Sequence, residues 1–166
     1  MIIKNIFFIL VVCLVITFPA YAKEYTGRIV AVSDGDTVTL LTSEKKQHKI
    51  RLAEIDAPES NQPYGTKSKQ MLSEYVFNKN VRIIQTDIDK YNRIIGRIYE
   101  GEMDVNLEMV KSGAAWAYTA YLTDPTIAEA QEYAQENKLG LWSLQTDQII
   151  EPWEWRKKKK PVIGFI

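Results

Sequence analysis

The sequence predicts a mainly β protein with helices (α+β), in which five strands form a small Greek-key barrel capped by about three helices. Three observations carry that prediction. Two short-period segments and a third follow one another across brief polar turns, one stretch of helical period interrupts after the third, and two more strand-like segments precede the remaining helical patterns.

Residues 25–32 and 37–42 are rich in β-branched side chains and are divided by Ser33-Asp34-Gly35-Asp36, a strong turn signal. Residues 47–55 make a third strand after the polar stretch 43–46, so the first three strands form an antiparallel meander. Pro58 stops the ladder, and over 62–78 Met71, Leu72, Tyr75 and Val76 recur at helical spacing. Strands resume at 80–86 and 93–99 across a polar loop, with Gly96 marking a bend or a close backbone approach. A short helix over 105–111 ends near Gly113, and Asp124-Pro125 opens another that runs toward Lys138 before Gly140 closes it. Five strands with a helix after the third describe the OB-type arrangement. Beyond Trp142 the periodicity fails; Pro152 to Trp155 is expected to pack somewhere, and the basic run from Arg156 to Lys160 reads either as a solvated tail or as a weak hold on nucleic acid.

The chain divides into a leader at 1–22, a barrel domain at 23–143 and a Trp-containing basic tail at 144–166. Lys4, an unbroken apolar run over 6–16, and Ala20-Tyr21-Ala22 have the pattern of an export signal cleaved after Ala22. Loss of that segment removes Cys13, the one cysteine of the sequence, so stability must come from packing without an internal disulfide. Without Lys4 the chain carries 20 basic against 21 acidic residues, and attraction to a polyanion must be local. No stable membrane association is expected after cleavage, no protein partner is implied, and a monomer in a periplasm or outside the cell is expected.

Three segments supply the chemistry: Asp34-Gly35-Asp36-Thr37, the stretch Arg51-Leu52-Ala53-Glu54-Ile55-Asp56-Ala57-Pro58-Glu59, and Asp89-Lys90-Tyr91-Asn92-Arg93. Cleaving a phosphodiester requires neutralising the phosphate, activating a water and stabilising the charge that builds at phosphorus. Asp36 and Asp56 are hard oxygen ligands, and a site completed by backbone carbonyl and water suits one Ca²⁺ ion. A zinc site or a histidine base is nearly excluded, because the only histidine, His48, sits in a strand and no cysteine follows the leader. Arg51 and Arg93 can grip phosphate with planar forks, or can serve as surface ion pairs. Glu59, on the turn after Pro58, is a candidate general base, with pairing to a neighbouring lysine as the alternative.

In order and spacing these segments, with Asp34-Gly35-Asp36-Thr37-Val38 and the closing Leu139-Gly140-Leu141-Trp142, resemble the staphylococcal nuclease, or thermonuclease, family over about residues 25–143. The resemblance implies an OB-fold barrel and calcium-dependent hydrolysis of DNA and/or RNA. It implies Arg51, Glu59 and Arg93 as catalytic groups, with Asp36, Asp56 and the Ala57 backbone carbonyl as metal ligands; Ala57 stands where the prototype has Thr. Lys90 and Tyr91 match positions that contact a terminal phosphate, while Tyr118 and Tyr121 are open to two readings, base platforms or packing residues. A catalytically silent nucleic-acid-binding module, or an exported protein-interaction barrel, are the competing classes.

One geometric tension remains. On a regular strand Arg51 and Asp56 would point to opposite faces, so a bulge or twist within 52–55 is needed for a joint site. For the leader, N-terminal sequencing of the exported protein is expected to begin at Lys23; a start at Met1 would refute the cleavage.

Overall fold

The computed structural model describes residues 23–159, so the proposed export signal lies outside the described residues. In chain order it contains β1 (Glu24–Val32), β2 (Thr37–Leu41), β3 (Gln47–Leu52), β4 (Ile55–Asp56), α1 (Gly65–Val76), β5 (Asn80–Ile88), β6 (Ile94–Glu100), β7 (Met103–Asp104), α2 (Val105–Lys111), β8 (Trp116–Ala117), α3 (Pro125–Glu136) and α4 (Pro152–Lys159). Strands run in the order β3-β2-β1-β5-β6-β7, and a parallel pairing of β3 with β6 joins Ile50 to Ile94 and Leu52 to Gly96, closing five strands into a barrel. β1 is long enough to serve two neighbours: Glu24 to Arg28 pair with β5, and Arg28 to Val32 pair with β2, with a register shift at Ile29/Ala31. A second shift, between Gln85 and Asp87 of β5, falls opposite Gly96 of β6, where the bend was expected.

Alternation places Ile29, Val38, Leu40, Ile50, Leu52, Ile83 and Ile98 inside, all buried. α1 contributes Leu72 and Val76 to this core, and α2 contributes Val105, Met109 and Val110. α2 begins at Asp104, whose carboxylate accepts from the Leu107 amide, and α3 begins at Asp124, whose carboxylate accepts from the Thr126 amide, with Pro125 in the first turn. The helix expected from Gln62 starts at Gly65, because residues 59–64 first form turns, with Gln62 and Gly65 donating to Glu59 and Gln62 carbonyls.

The basic stretch is corrected by the structure. It is not a structureless tail after the last helix: α4 is a fourth helix, which begins at buried Pro152 and carries Trp153 onto the aromatic rings of Trp116 and Tyr118. Its polar composition and lack of apolar periodicity hid it, since the helix docks through a few aromatic side chains and one arginine rather than an apolar stripe.

Asn106 has no exposure and ties the barrel to the strand break that follows β3. Its side-chain amide donates to the carbonyls of Ala53 (2.9 Å) and Gly96 (3.3 Å), and its oxygen accepts from the Ile98 amide (3.0 Å). Replacing Asn106 by Ala strands these buried groups and is expected to destabilise the fold by about 1–3 kcal/mol, read as a lower urea midpoint with an unchanged slope.

Candidate active site

The expected irregularity lies at Ala53-Glu54. β3 ends at Leu52, Glu54 adopts φ 64°, and the chain resumes as β4, which pairs with β8 through Ile55–Ala117 and Asp56–Trp116. The two-residue turn rotates Asp56 onto the side of Arg51, removing the parity conflict. Three sets of bonds hold it: the Ala53 amide donates to the Gly96 carbonyl (2.8 Å), Asn106 takes the Ala53 carbonyl, and the Glu54 carboxylate accepts from the amides of Thr123 (2.6 Å) and Asp124 (2.9 Å). Glu54 and Asp124 share Arg97 with Asp104, an ion-pair network on the outer side of the turn.

Arg51 joins the two aspartates. Its Nη1 donates to Asp36 Oδ1 and its Nη2 to Asp56 Oδ1, each at 2.9 Å. Asp36 is delivered by the turn between β1 and β2, where its amide donates to Asp34 Oδ1 (3.1 Å) and its carbonyl accepts from Leu52 (2.8 Å). Its carboxylate also accepts from the Thr37 hydroxyl (2.9 Å) and the Ala57 amide (3.0 Å). Gly35 and Gly65 permit the close packing: a Cβ on Gly35 would collide with Ser68 of α1, and one on Gly65 with the Glu59 carbonyl.

A second guanidinium, from Arg156 of α4, also enters the site. Its Nη2 donates to Asp56 Oδ2 (2.6 Å) and its Nη1 to Glu59 Oε1 (2.8 Å) and Asp56 Oδ1 (3.2 Å). Asp36, Arg51, Asp56 and Glu59 are thereby linked in one cluster, and the partner of Glu59 is this arginine rather than a neighbouring lysine.

Arg93 stands apart from that cluster. Among the described residues its charge partner is Asp89, whose carboxylate takes the Arg93 Nε–H (2.7 Å) and backbone amide (2.9 Å). Arg93 nevertheless lines an open cavity of about 330 Å³ with Tyr91, Lys49, Ser33, Asp34 and Thr37, the last of which bonds Asp36. Tyr91 is exposed and carries Lys90 and Arg93 near its ring, at 5.1 and 5.6 Å from the centroid. Tyr118 is half-buried: Trp153 stacks on it at 5.2 Å and 7°, and exposed Tyr121 meets it at a tilt at 4.9 Å.

Lys49 and Arg156 are the cations that sequence reasoning missed. Lys49 was legible, because it shares strand parity with Arg51 and faces Thr39 in register, as Arg51 faces Thr37. Arg156 left no such signal, since it lies 100 residues from Asp56 and only docking of α4 brings it near.

Burial pushes the Asp36 carboxyl above its ordinary value, against the pull of Arg51, and Asp34 adds to the rise. Burial also works against the Arg51 charge, but Asp36 and Asp56 more than offset it and raise this guanidinium further. Bonds to Asp56 do the same for Arg156.

A hard divalent cation fits the donors present. A carboxylate offers about four lone-pair directions, and among the described residues Asp36 Oδ2 accepts from the Ala57 amide and Asp56 Oδ2 from Arg156, leaving directions over for a cation. Among the described residues no group of three or more His, Cys, Asp or Glu side chains could hold a metal, so a cation on Asp36 and Asp56 would need backbone carbonyl and water to complete its shell.

The chain is thus a closed OB-type barrel with buried aspartates and arginines gathered beside a strand break. Comparison with known families matches residues 49–144 to the staphylococcal nuclease homologue family. A Haemophilus influenzae protein named "Uncharacterized endonuclease" is 47% identical over 143 residues, covering 86% of this chain and 79% of its own. An Escherichia coli protein of the same name is 40% identical over 153 residues (92% of this chain, 98% of its own), and the "Micrococcal nuclease" of Shigella flexneri is 37% identical over 161 residues (90% of each). The chain belongs to the staphylococcal nuclease family.

The outer network predicts a pH signature. Burial raises the Glu54 carboxyl, but the Thr123 hydroxyl and amide, the Asp124 amide and Arg97 outweigh it and hold the group below its ordinary value. The folded chain therefore binds this proton less tightly than the unfolded chain, so the stability gained is complete above the unfolded value of 4.5 and is lost as pH falls through the lower folded value. Glu54→Gln is expected to cost about 1–2 kcal/mol at neutral pH, with the gap to the parent narrowing below the unfolded value when urea midpoints are compared.

Proposed function

We propose that the chain is an exported, calcium-dependent phosphodiesterase that hydrolyses DNA and/or RNA by attack of an activated water on the backbone phosphate. The observation that carries this reading is the fork of Arg51 bridging Asp36 and Asp56, with Glu59 joined to Asp56 through Arg156, at one end of a nuclease-family barrel. The names of the relatives support nuclease activity; the leader-like composition of residues 1–22 supports export.

Asp36, Asp56 and the Ala57 carbonyl would hold the cation. When bound, calcium supplies a Lewis acid that draws charge from a phosphate oxygen and keeps a water near phosphorus. Glu59 is less buried than the aspartates, with 38% of its side chain exposed, so its carboxylate can take a proton from a water entering from solvent. Arg51 lies between both aspartates and has donors suited to an equatorial phosphate oxygen as charge develops. Arg93 reaches the same end from across the cavity, where exchange of Asp89 for phosphate would bring a second fork to the substrate. Lys90, Tyr91 and Lys49 lie along that approach and offer charge and an aromatic face to the polymer. Tyr121 can add a second ring beyond the Tyr118–Trp153 stack.

Digestion of single-stranded DNA, duplex DNA and RNA with Ca²⁺, and again with chelator, tests this function. Cutting that requires Ca²⁺ is expected; no cutting by folded protein would leave a binding or interaction barrel, and cutting unaffected by chelator would remove the metal. Glu59→Gln is expected to lower kcat by about 100- to 10,000-fold while sparing nucleotide affinity and the melting temperature, and full activity in that variant would reassign the base.

A further inference from the structure

We propose that Arg156 is a positioning residue of the nuclease site, and that the C-terminal segment ending in α4 acts as a clamp that holds the Glu59 loop against Asp56. The inference rests on the proposed function for its catalytic consequence, but the clamp itself stands on four independent contacts. Arg156 bonds Glu59 and both oxygens of Asp56. Gln62, which accepts from the Glu59 amide at 3.0 Å, donates through its own side-chain nitrogen to the carbonyl of Ile150. Trp155 Nε1 donates to Asn61 Oδ1 at 3.2 Å. Trp153 packs on Trp116, the residue paired with Asp56 across β4 and β8, and stacks on Tyr118. The segment 150–156 thus grips residues 59–62 at three points and rests on the strand pair that carries Asp56.

The physical need for the clamp follows from charge. Arg51 joins Asp36 to Asp56, and Arg156 joins Asp56 to Glu59; among the described residues the ion-pair partners of Arg51 are the two aspartates. Among the described residues Glu59 has Arg156 as its one ion-pair partner. Without that fork the Glu59 carboxylate would be repelled by Asp56 and free to rotate into solvent, whereas a base must be held at a fixed position relative to the attacked phosphorus. A guanidinium can bond two carboxylates at once in a plane, which the point charge of lysine cannot.

The test uses full-length Arg156→Ala and Arg156→Lys proteins. For Arg156→Ala, kcat is expected to fall about 10- to 100-fold with KM little changed, the loss typical of removing a group that orients a catalytic one. Millimolar guanidinium should recover part of that loss, where sodium at equal ionic strength does not. Arg156→Lys should recover activity only in part. Amide exchange at residues 59–62 should speed up in Arg156→Ala while β1, β2 and β5 keep their protection. Parental kcat in Arg156→Ala, faster cutting that would make the arginine a plug, or parental kcat in Arg156→Lys would each overturn the proposal. If Arg156→Ala does not fold, the Lys variant carries the test by the same criterion. If the parent protein does not cut nucleic acid, the function reading fails, and unchanged exchange at 59–62 would then separately overturn the clamp.

Discussion

A carboxylate removed from solvent must be matched by charge and hydrogen bonds, because burying it alone costs far more than any single contact returns. Asp56 has no exposure and sits beside Asp36, which has almost none. Arg51 and Arg156 answer that constraint from opposite sides, one from the barrel wall and one from the C-terminal helix. Much of the architecture around the site follows from bringing those four groups together. β3 breaks after Leu52 so that Asp56 turns toward Arg51, and Asn106, Glu54 and Arg97 hold the break in shape.

The same grouping concentrates charge in one place. Three carboxylates against two arginines leave the linked cluster with a net negative charge. The chain as a whole is close to neutral, and Lys49 and Arg93 place positive charge on the wall of the neighbouring cavity. Asp89 holds Arg93 at the cavity wall.

Most of the barrel was legible. β1, β2, β3, β5 and β6 follow from β-branched alternation bounded by polar turns, α2 from the glycine that ends it, and α3 from its Asp-Pro start and the glycine that closes it. Asp36, Arg51, Asp56 and Glu59 could be singled out because their residue types at short spacing fit one chemistry. The need for an irregularity between Arg51 and Asp56 could be inferred from strand parity alone. What escaped was long in range or weak in pattern: α4 lacks an apolar stripe, Asn106 looks like any polar helix residue until its buried bonds are seen, and the stacking of Trp153 on Tyr118 joins residues 35 apart.

The amino-acid sequence by itself determined the order of the five barrel strands and the first three helices and the residue types of the site, since these depend on local periodicity and on which side chains exist at all. Only the tertiary structure decided which arginines meet which carboxylates. Arg156 reaches Glu59 across 97 residues and Arg93 turns to Asp89 four residues away, outcomes set by the closure of β3 on β6 and the docking of α4, where packing energy rather than neighbourhood along the chain selects the partner.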